Sequence, residues 1–253
     1  MVKNLNNIRI KSLKDYYIEI NEYIPKEIKK IIIAVHGFGG DKDSSVIVAL
    51  ANELNKYNIG LVCFDFPGHG KSEVDGNYFT VENSINDLNE VEKYIQEKYK
   101  SPIGIFATSY GAYITLLNIG KNQKEYSDVI LRCPAIDMFN IFRKNILNIS
   151  EDDFKQKGYC ELGYERKINI IYKYFEELEK NNIKKIVDSL TIPIVIIHGT
   201  EDNMAPIEDS IEFETKFKER VILEKVYGAD HRFKKEGELE KILNISVKYL
   251  KEI

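Results

Sequence analysis

The 253-residue sequence has no tryptophan, three cysteines and four histidines. The cysteines, Cys63, Cys133 and Cys160, are odd in number and show no Cys-x-x-Cys spacing. We therefore expect free thiols rather than a disulfide framework or a structural zinc site. Unbroken apolar runs such as Ile31–Val35 are far shorter than the ~20 residues of a membrane-spanning helix, so no membrane span is expected.

The chain also lacks a strong excess of either charge. Lys and Arg number 36 against 40 Asp and Glu, which gives a net charge of −4, and both signs are interspersed along the sequence. Nucleic acid is therefore not an expected partner. The first residues contain neither an apolar signal segment nor a small-residue cleavage site. No secretory signal is expected in them, and the expected location is the cytoplasm.

Short apolar runs bounded by Gly, Pro and Asp recur along the chain and predict β-strands. Most of them are apolar at consecutive positions, as strands covered on both faces by helices require. An antiparallel pair at the sheet edge is predicted for Ile8–Lys11 and Tyr16–Tyr23. The six further runs are Lys30–Val35, Ile59–Phe64, Ile103–Ala107, Val129–Cys133, Ile194–His198 and Val221–Val226.

Helical periodicity lies between these runs. In Val81–Tyr99 the apolar residues recur at spacings of three and four, and Thr80 is suited to cap the helix. The alternation of strands and helices predicts an α/β fold with a doubly wound, mostly parallel sheet. The other predicted helices are Ser44–Tyr57, Tyr110–Ile119, Ile207–Phe217 and Leu239–Leu250.

Residues 135–187 interrupt the alternation. They show aromatic and aliphatic clusters but no clear strand, which predicts a mostly helical cap inserted into a core of residues 1–134 and 188–253. We expect the substrate to bind beneath this cap, although the sequence singles out no binding residue. The aromatic side chains suit an apolar or aromatic substrate, or the cap's own core: Phe139, Phe142, Tyr172, Tyr174 and Phe175.

Ser109 lies in Ala107-Thr108-Ser109-Tyr110-Gly111, between a predicted strand and a predicted helix. Such a turn lifts the serine hydroxyl above the sheet and needs small residues two positions to either side. The pattern usual for this turn is Gly-x-Ser-x-Gly, so Ala107 makes the motif less specific. Because serine is also a common helix cap, assigning Ser109 as a nucleophile requires partners elsewhere in the chain.

Asp202 and His231, which both lie downstream of Ser109 in the sequence, are suitable partners. A serine nucleophile needs an adjacent base, usually histidine, which a carboxylate orients. Asp202 follows the predicted strand Ile194–His198, and His231 follows Val221–Val226. Alone, Asp202 could form a side-chain turn and His231 could be an ordinary surface histidine. Their order behind Ser109, each just past a strand, predicts a catalytic set.

The tetrahedral intermediate of acyl transfer needs backbone N–H donors for its oxyanion. Tyr110, directly after the serine, is one expected donor. The second is Phe38 in His36-Gly37-Phe38-Gly39-Gly40, where glycines let the backbone approach a substrate closely. Taken alone, this glycine cluster would indicate an ordinary turn.

Together these segments resemble the α/β-hydrolase superfamily over about residues 30 to 235. The loop 36–40 and the Gly-Ala-Asp-His ending at 228–231 are most similar to those of small carboxylesterases, including cinnamoyl or feruloyl esterases, of acylglycerol lipases, and of related serine aminopeptidase-like hydrolases. The matching segments are the oxyanion loop 36–40, the Asp-x-x-Gly-His-Gly-x-Ser segment 65–72, the nucleophile turn 107–111, the acid loop 198–202 and the histidine loop 228–231.

The resemblance implies a serine hydrolase acting on a small-molecule carboxylic ester, without a metal or cofactor. Ser109 would attack the acyl carbonyl, His231 would serve as general base and acid, and Asp202 would orient His231. His36 and His69 would structure their loops. A peptidase, thioesterase or acyltransferase could use the same three residues, and a non-catalytic ligand-binding module is a further alternative. The oligomeric state is not indicated.

Overall fold

The computed structural model describes residues 3–122, 124, 126–163 and 167–251. A central sheet of eight strands has the order β1-β2-β4-β3-β5-β6-β9-β10, and a separate hairpin pairs β7 with β8. The strands are β1 (Lys3–Lys11), β2 (Tyr17–Ile24), β3 (Lys30–Val35), β4 (Ile59–Phe64), β5 (Ile103–Thr108), β6 (Val129–Arg132), β7 (Tyr159–Leu162), β8 (Ile168–Ile171), β9 (Ile194–Gly199) and β10 (Val221–Val226).

Helices α1 and α9 cover one face of the sheet, and α2 and α3 cover the other. Among the described residues, no helix has both the length and the apolar composition to cross a membrane. The helices are α1 (Ser45–Asn55), α2 (Val81–Tyr99), α3 (Tyr110–Asn122), α4 (Met138–Ile141), α5 (Glu151–Lys157), α6 (Tyr172–Lys180), α7 (Ile183–Ile186), α8 (Ile207–Lys216) and α9 (Glu238–Leu250).

The side chains of β3 alternate between two hydrophobic cores. Ile31, Ile33 and Val35 pack with α2 and α3, whereas Ile32 and Ala34 pack with α1 and α9. Every residue of this strand is buried. Successive side chains of a strand point to opposite faces, so a strand covered on both faces must be apolar at every position. This requirement explains the continuous apolar runs in the sequence.

The doubly wound α/β prediction is confirmed. The predicted strands of the central sheet all form, and β4, β3, β5, β6, β9 and β10 are parallel to one another. The antiparallel edge also forms, because β1 pairs with β2 and β2 pairs antiparallel with β4. Strand β1 is longer than predicted and contains an irregularity between Leu5 and Ile8.

The prediction that residues 135–187 contain no strand is wrong. The segment holds α4 to α7, a π-helical turn at Phe142–Ile146, and the hairpin of β7 and β8. Each hairpin strand has only four residues, and buried and exposed side chains alternate along it. Such short strands are stabilised by pairing and by packing against the rest of the protein, which local sequence does not reveal.

A buried aspartate attaches the N-terminal hairpin to α2. The carboxylate of Asp87 accepts hydrogen bonds from Ser12 Oγ at 2.8 Å and from the hydroxyl of Tyr16 at 2.7 Å. Burial raises the pKa of Asp87 to about 7, although the two hydroxyl donors act to lower it. The carboxyl group therefore binds its proton more tightly in the folded chain than in the unfolded chain.

This raised pKa predicts a pH-dependent stability. Because the unfolded pKa is about 3.9, the stabilisation from the protonated Asp87 is complete below about pH 4 and is lost as the pH rises through about 7. Between pH 5 and pH 8, the free energy of unfolding of the wild type should fall by about 2 to 3 kcal/mol relative to Asp87→Asn. Urea unfolding of both proteins at the two pH values tests this. Parallel pH dependence in the two proteins would contradict it.

Candidate active site

Ser109 occupies a strained turn between β5 and α3. Its φ angle is +52°, in the left-handed region that non-glycine residues rarely adopt. Strand β5 ends at Thr108 and α3 begins at Tyr110, so the chain reverses direction at this single residue. The Ser109 N–H donates to the carbonyl of Arg132 at 2.9 Å, and its carbonyl accepts from Tyr113 N–H. The turn is thus held from both sides.

Gly111 allows this turn to pack against β3. A Cβ atom at position 111 would lie 2.5 Å from the carbonyl oxygen of Val35 and 2.6 Å from that of His36. Atoms cannot approach so closely, so any side chain there would displace backbone. The first small position of the motif, Ala107, carries its methyl group within the buried part of β5. The two small positions are therefore under different constraints.

The structure brings Ser109, His231 and Asp202 into one chain of hydrogen bonds. His231 Nε2 lies 3.1 Å from Ser109 Oγ, and His231 Nδ1 lies 2.7 Å from Asp202 Oδ2. An ionised carboxylate can only accept, so Nδ1 carries the proton of a neutral imidazole. Nε2 is then an acceptor for the serine hydroxyl. This is the arrangement that lets a histidine remove a proton from serine.

Asp202 receives hydrogen bonds on both of its carboxylate oxygens. Oδ1 accepts the backbone N–H groups of Met204 and Ala205, each at 2.9 Å. Oδ2 accepts from His231 and faces Nε2 of His198 at 3.2 Å. Burial acts to raise the pKa of Asp202, but the hydrogen bonds from these groups outweigh it and hold the pKa well below its usual range. The carboxylate is therefore ionised.

His198 contacts Asp202 and was not singled out from the sequence. Its side chain is fully buried, with Nε2 3.0 Å from the carbonyl of Ala205 and Nδ1 2.8 Å from Ser210 Oγ. A carbonyl can only accept, so Nε2 carries the proton and also points it towards Asp202. From the sequence, His198 was placed at the end of a strand and at the start of the acid loop 198–202, without a role of its own. Its spacing of four residues from Asp202, across a sharp turn, was the available signal.

Cys133, His198 and Asp202 present potential metal-ligand atoms within 4.8 Å of one another. Their hydrogen bonding argues for a different role. His198 directs an N–H rather than a lone pair towards Asp202. Burial raises the pKa of the Cys133 thiol well above its ordinary value, which disfavours the thiolate that binds metals. We interpret the cluster as hydrogen-bonded support for Asp202.

The predicted oxyanion donors lie beside the nucleophile. Tyr110 is the first residue of α3, where a backbone N–H has no acceptor within the helix. Phe38 follows Gly37, and a Cβ atom at Gly37 would lie 3.1 Å from Ser109 Cβ. The loop 36–40 therefore passes directly over the serine. That Tyr110 and Phe38 bind an oxyanion stays a prediction.

His36 and Asp65 hold the oxyanion loop against the neighbouring loop 65–72. His36 Nδ1 donates to the Gly37 carbonyl at 2.8 Å, and its Nε2 accepts the Phe66 N–H at 3.1 Å. Burial lowers the pKa of His36, which favours this neutral form. The buried Asp65 carboxylate accepts the backbone N–H of Lys42 at 2.8 Å. These contacts agree with the loop-structuring role predicted for His36.

The cap segment 135–187 touches two loops of the site. The ring of Phe142 packs 6.3 Å, centroid to centroid, from the ring of Phe38. Asn145 donates to the carbonyl of Met204 in the acid loop at 2.8 Å. Of the cap aromatics singled out above, three are buried and join the hydrophobic core of the sheet domain, where Tyr174 contacts Phe79 and Tyr110, while two are partly exposed. The buried ones are Phe142, Tyr174 and Phe175, and the partly exposed ones are Phe139 and Tyr172.

Residues 26–156, more than half of the chain, match the family described as serine aminopeptidase, S33. A monoglyceride lipase homolog of monkeypox virus is 21% identical over 234 residues, which cover 82% of this chain and 83% of the relative.

Solved structures share the fold. Est1E from Butyrivibrio proteoclasticus with bound ferulic acid superposes with a TM-score of 0.81 at 22% identity, covering 96% of this chain and 99% of the other. The esterase domain of a Rhodothermus marinus protein gives a TM-score of 0.76 at 16% identity, covering 99% and 98%.

Two substitutions beside Ser109 test the packing of the turn. Gly111→Ala should lower the free energy of unfolding by about 1 to 3 kcal/mol, because the new methyl group collides with the carbonyls of Val35 and His36. Ala107→Gly is the matched control and should cost about 0.5 to 1 kcal/mol, the usual penalty for glycine in a strand. Chemical unfolding measures both. Equal losses would show that Gly111 is not specially constrained.

Proposed function

Because the chain belongs to the serine aminopeptidase S33 family of α/β-hydrolases, we propose that it is a serine esterase that cleaves carboxylic esters through an acyl-enzyme on Ser109. The observation that carries the proposal is the continuous hydrogen-bonded chain from Ser109 through His231 to Asp202. Each of the three residues follows the carboxyl end of a different strand, and these strand ends lie on the same side of the sheet. A binding module would have no need of this arrangement.

In the first step, Ser109 Oγ attacks the carbonyl carbon of the ester while His231 Nε2 takes the hydroxyl proton. The imidazolium that forms keeps its Nδ1–H bond to Asp202. Because Asp202 stays ionised, its charge stabilises the imidazolium without taking the proton. His231 is therefore general base in this step, and Asp202 fixes its tautomer and orientation.

The attack places a negative charge on the former carbonyl oxygen. We assign its stabilisation to the backbone N–H groups of Phe38 and Tyr110, which flank the serine. The positive end of α3 adds to the effect, since Tyr110 begins that helix. Donors fixed in advance need no reorganisation when the charge develops, which is why such sites accelerate acyl transfer strongly.

The intermediate then collapses and expels the alcohol, which takes the proton from His231 Nε2. Water attacks the acyl-enzyme by the reverse sequence: His231 accepts a proton from the water and returns it to Ser109 Oγ. The products are a carboxylic acid and an alcohol. Every proton transfer therefore passes through His231 Nε2, which lies 3.1 Å from Ser109 Oγ.

The names of similar proteins favour esters as substrates. One relative is a monoglyceride lipase homolog, and Est1E was solved with ferulic acid, an aromatic carboxylic acid. The family description favours a second candidate, an aminopeptidase using the same residues. We propose that the cap, residues 135–187, contributes the substrate pocket, since it contacts both the oxyanion loop and the acid loop.

The first test is hydrolysis of p-nitrophenyl esters from acetyl to long-chain acyl, together with feruloyl and monoacylglycerol esters. Wild-type protein should turn over at least one of them, and Ser109→Ala should lose that activity. Ser127→Ala, at the opposite end of the parallel strands, is the matched control and should keep it. Turnover of an aminoacyl p-nitroanilide without any ester hydrolysis would favour the aminopeptidase. Ester hydrolysis by Ser109→Ala would refute the mechanism.

A second test concerns the acid. Asp202→Asn should fold but lower kcat by about 10⁴-fold, because the amide N–H₂ would face Nδ1 and force His231 into the tautomer that cannot accept the serine proton. Glu201→Gln, the exposed neighbour, is the control and should retain wild-type kcat. Steady-state kinetics on the best ester measure kcat for both variants and the wild type. The reverse pattern would make Glu201 the acid.

A further inference from the structure

Arg132 is a buried cation directly behind the catalytic histidine. The last residue of β6, it is only 8% exposed. Its Nη2 donates to the backbone carbonyls of His231 at 3.3 Å and Arg232 at 3.0 Å. The guanidinium also lies 5.0 Å from the ring centre of Phe233. Its side chain therefore contacts the histidine loop at three consecutive residues.

The backbone of Arg132 contacts the nucleophile turn. Its carbonyl accepts the N–H of Ser109 at 2.9 Å. Arg132 also pairs with Thr108 of β5 and with Ile197 of β9 in the sheet. One residue therefore joins Ser109, through its backbone, to His231, through its side chain. These two residues are 122 positions apart in the chain, and their side chains must meet at 3.1 Å.

The burial of this charge is costly for the fold. Within the described part of the chain, no carboxylate lies within ion-pair distance of Arg132, and its Nε has no hydrogen-bond partner. The charges of Asp202 and Asp230 attract it from farther away. A buried charge without an adjacent counter-ion opposes folding, and an apolar side chain of similar size would commonly be tolerated as well or better. Stability therefore does not explain an arginine here.

We propose that Arg132 is a positioning residue that sets the distance between His231 and Ser109. The proposal rests on the serine esterase function proposed above. The Nη2 of Arg132 donates to two successive carbonyls while the planar guanidinium lies over the Phe233 ring, and these contacts together fix the position of the histidine loop relative to β6. The carbonyl of the same residue fixes Ser109. Arg132 touches neither substrate nor reacting atoms, and it acts through the geometry of the other two residues.

Arg132→Met should fold and should lower kcat about 100-fold while KM changes less than about twofold, because proton transfer depends steeply on the distance between the reacting groups. Arg132→Lys keeps the charge, but its shorter side chain ends before the position of Nη2 and has no planar group to lie over Phe233. It should therefore recover about tenfold of the loss in kcat. The rate at which a fluorophosphonate labels Ser109 should follow kcat in both variants. This labelling reports the pairing of nucleophile and base without an ester substrate.

Lys30→Met is the control for removing a buried cation. Lys30 is 4% exposed and pairs with Asp128 at 2.7 Å. It is the first residue of β3, at the end of the parallel strands that lies away from the site. The kcat and the labelling rate of Lys30→Met should match those of the wild type, even if the melting temperature of the variant is lower. An unchanged kcat in Arg132→Met, or a raised KM with unchanged kcat, would overturn the role proposed for Arg132.

Two further outcomes keep the test decisive. If Arg132→Met does not fold, Arg132→Lys decides alone, and wild-type kcat in that variant would overturn the proposal. Failure of the esterase function looks different, since wild-type protein would then show neither Ser109-dependent labelling nor ester hydrolysis. Strong wild-type labelling together with equal labelling of Arg132→Met would refute the role of Arg132 alone.

Discussion

The carboxylate of Asp202 is the point on which the loops of the site converge. It accepts two N–H groups of its own turn, faces the N–H of His198 on β9, and accepts that of His231 from the loop after β10. A carboxylate has about four acceptor positions, so these donors leave it little freedom to rotate. Its fixed orientation in turn fixes which nitrogen of His231 carries the proton. The roles that we propose for Ser109 and His231 depend on which nitrogen carries that proton.

Strain in the backbone is concentrated around the same place. Three non-glycine residues with positive φ border the site: Ser109 at +52°, Cys133 at +43° and Phe233 at +54°. Each belongs to a sharp turn beyond a strand. Such conformations cost roughly 1 to 3 kcal/mol each and persist only where surrounding contacts hold them. Here the N–H of Ser109 and that of Cys133 donate to carbonyls of neighbouring strands. The two buried cores supply the stability that offsets this cost.

Sequence alone predicted the central strands well because their burial on both faces makes them continuous apolar runs, which few other elements produce. The parallel arrangement then implied that loops after β5, β9 and β10 share one edge, which is why Ser109, Asp202 and His231 could be chosen from their order. His198 and Arg132 could not be found in this way. Arg132 contacts the histidine loop and the nucleophile turn, which only strand order and register bring within its reach. The partners of His198 are close in sequence, but they reach it only because the segment after β9 folds back over the strand end. The hairpin of β7 and β8 was not predicted either, because pairing and tertiary packing, rather than local sequence, stabilise its short strands.

The order of strands in the sheet keeps the cap, residues 135–187, separate from the strand ends that carry the candidate site. Strands β6 and β9 are direct neighbours, although residues 135–187 lie between them in sequence. Insertions at this point can change in length and shape without altering the pairing that places Arg132, His198 and Asp202. The cap meets the site through side-chain contacts such as Phe142 with Phe38 and Asn145 with Met204. We therefore propose that the cap determines substrate preference, whereas the residues at the carboxyl ends of the strands carry out the proposed reaction.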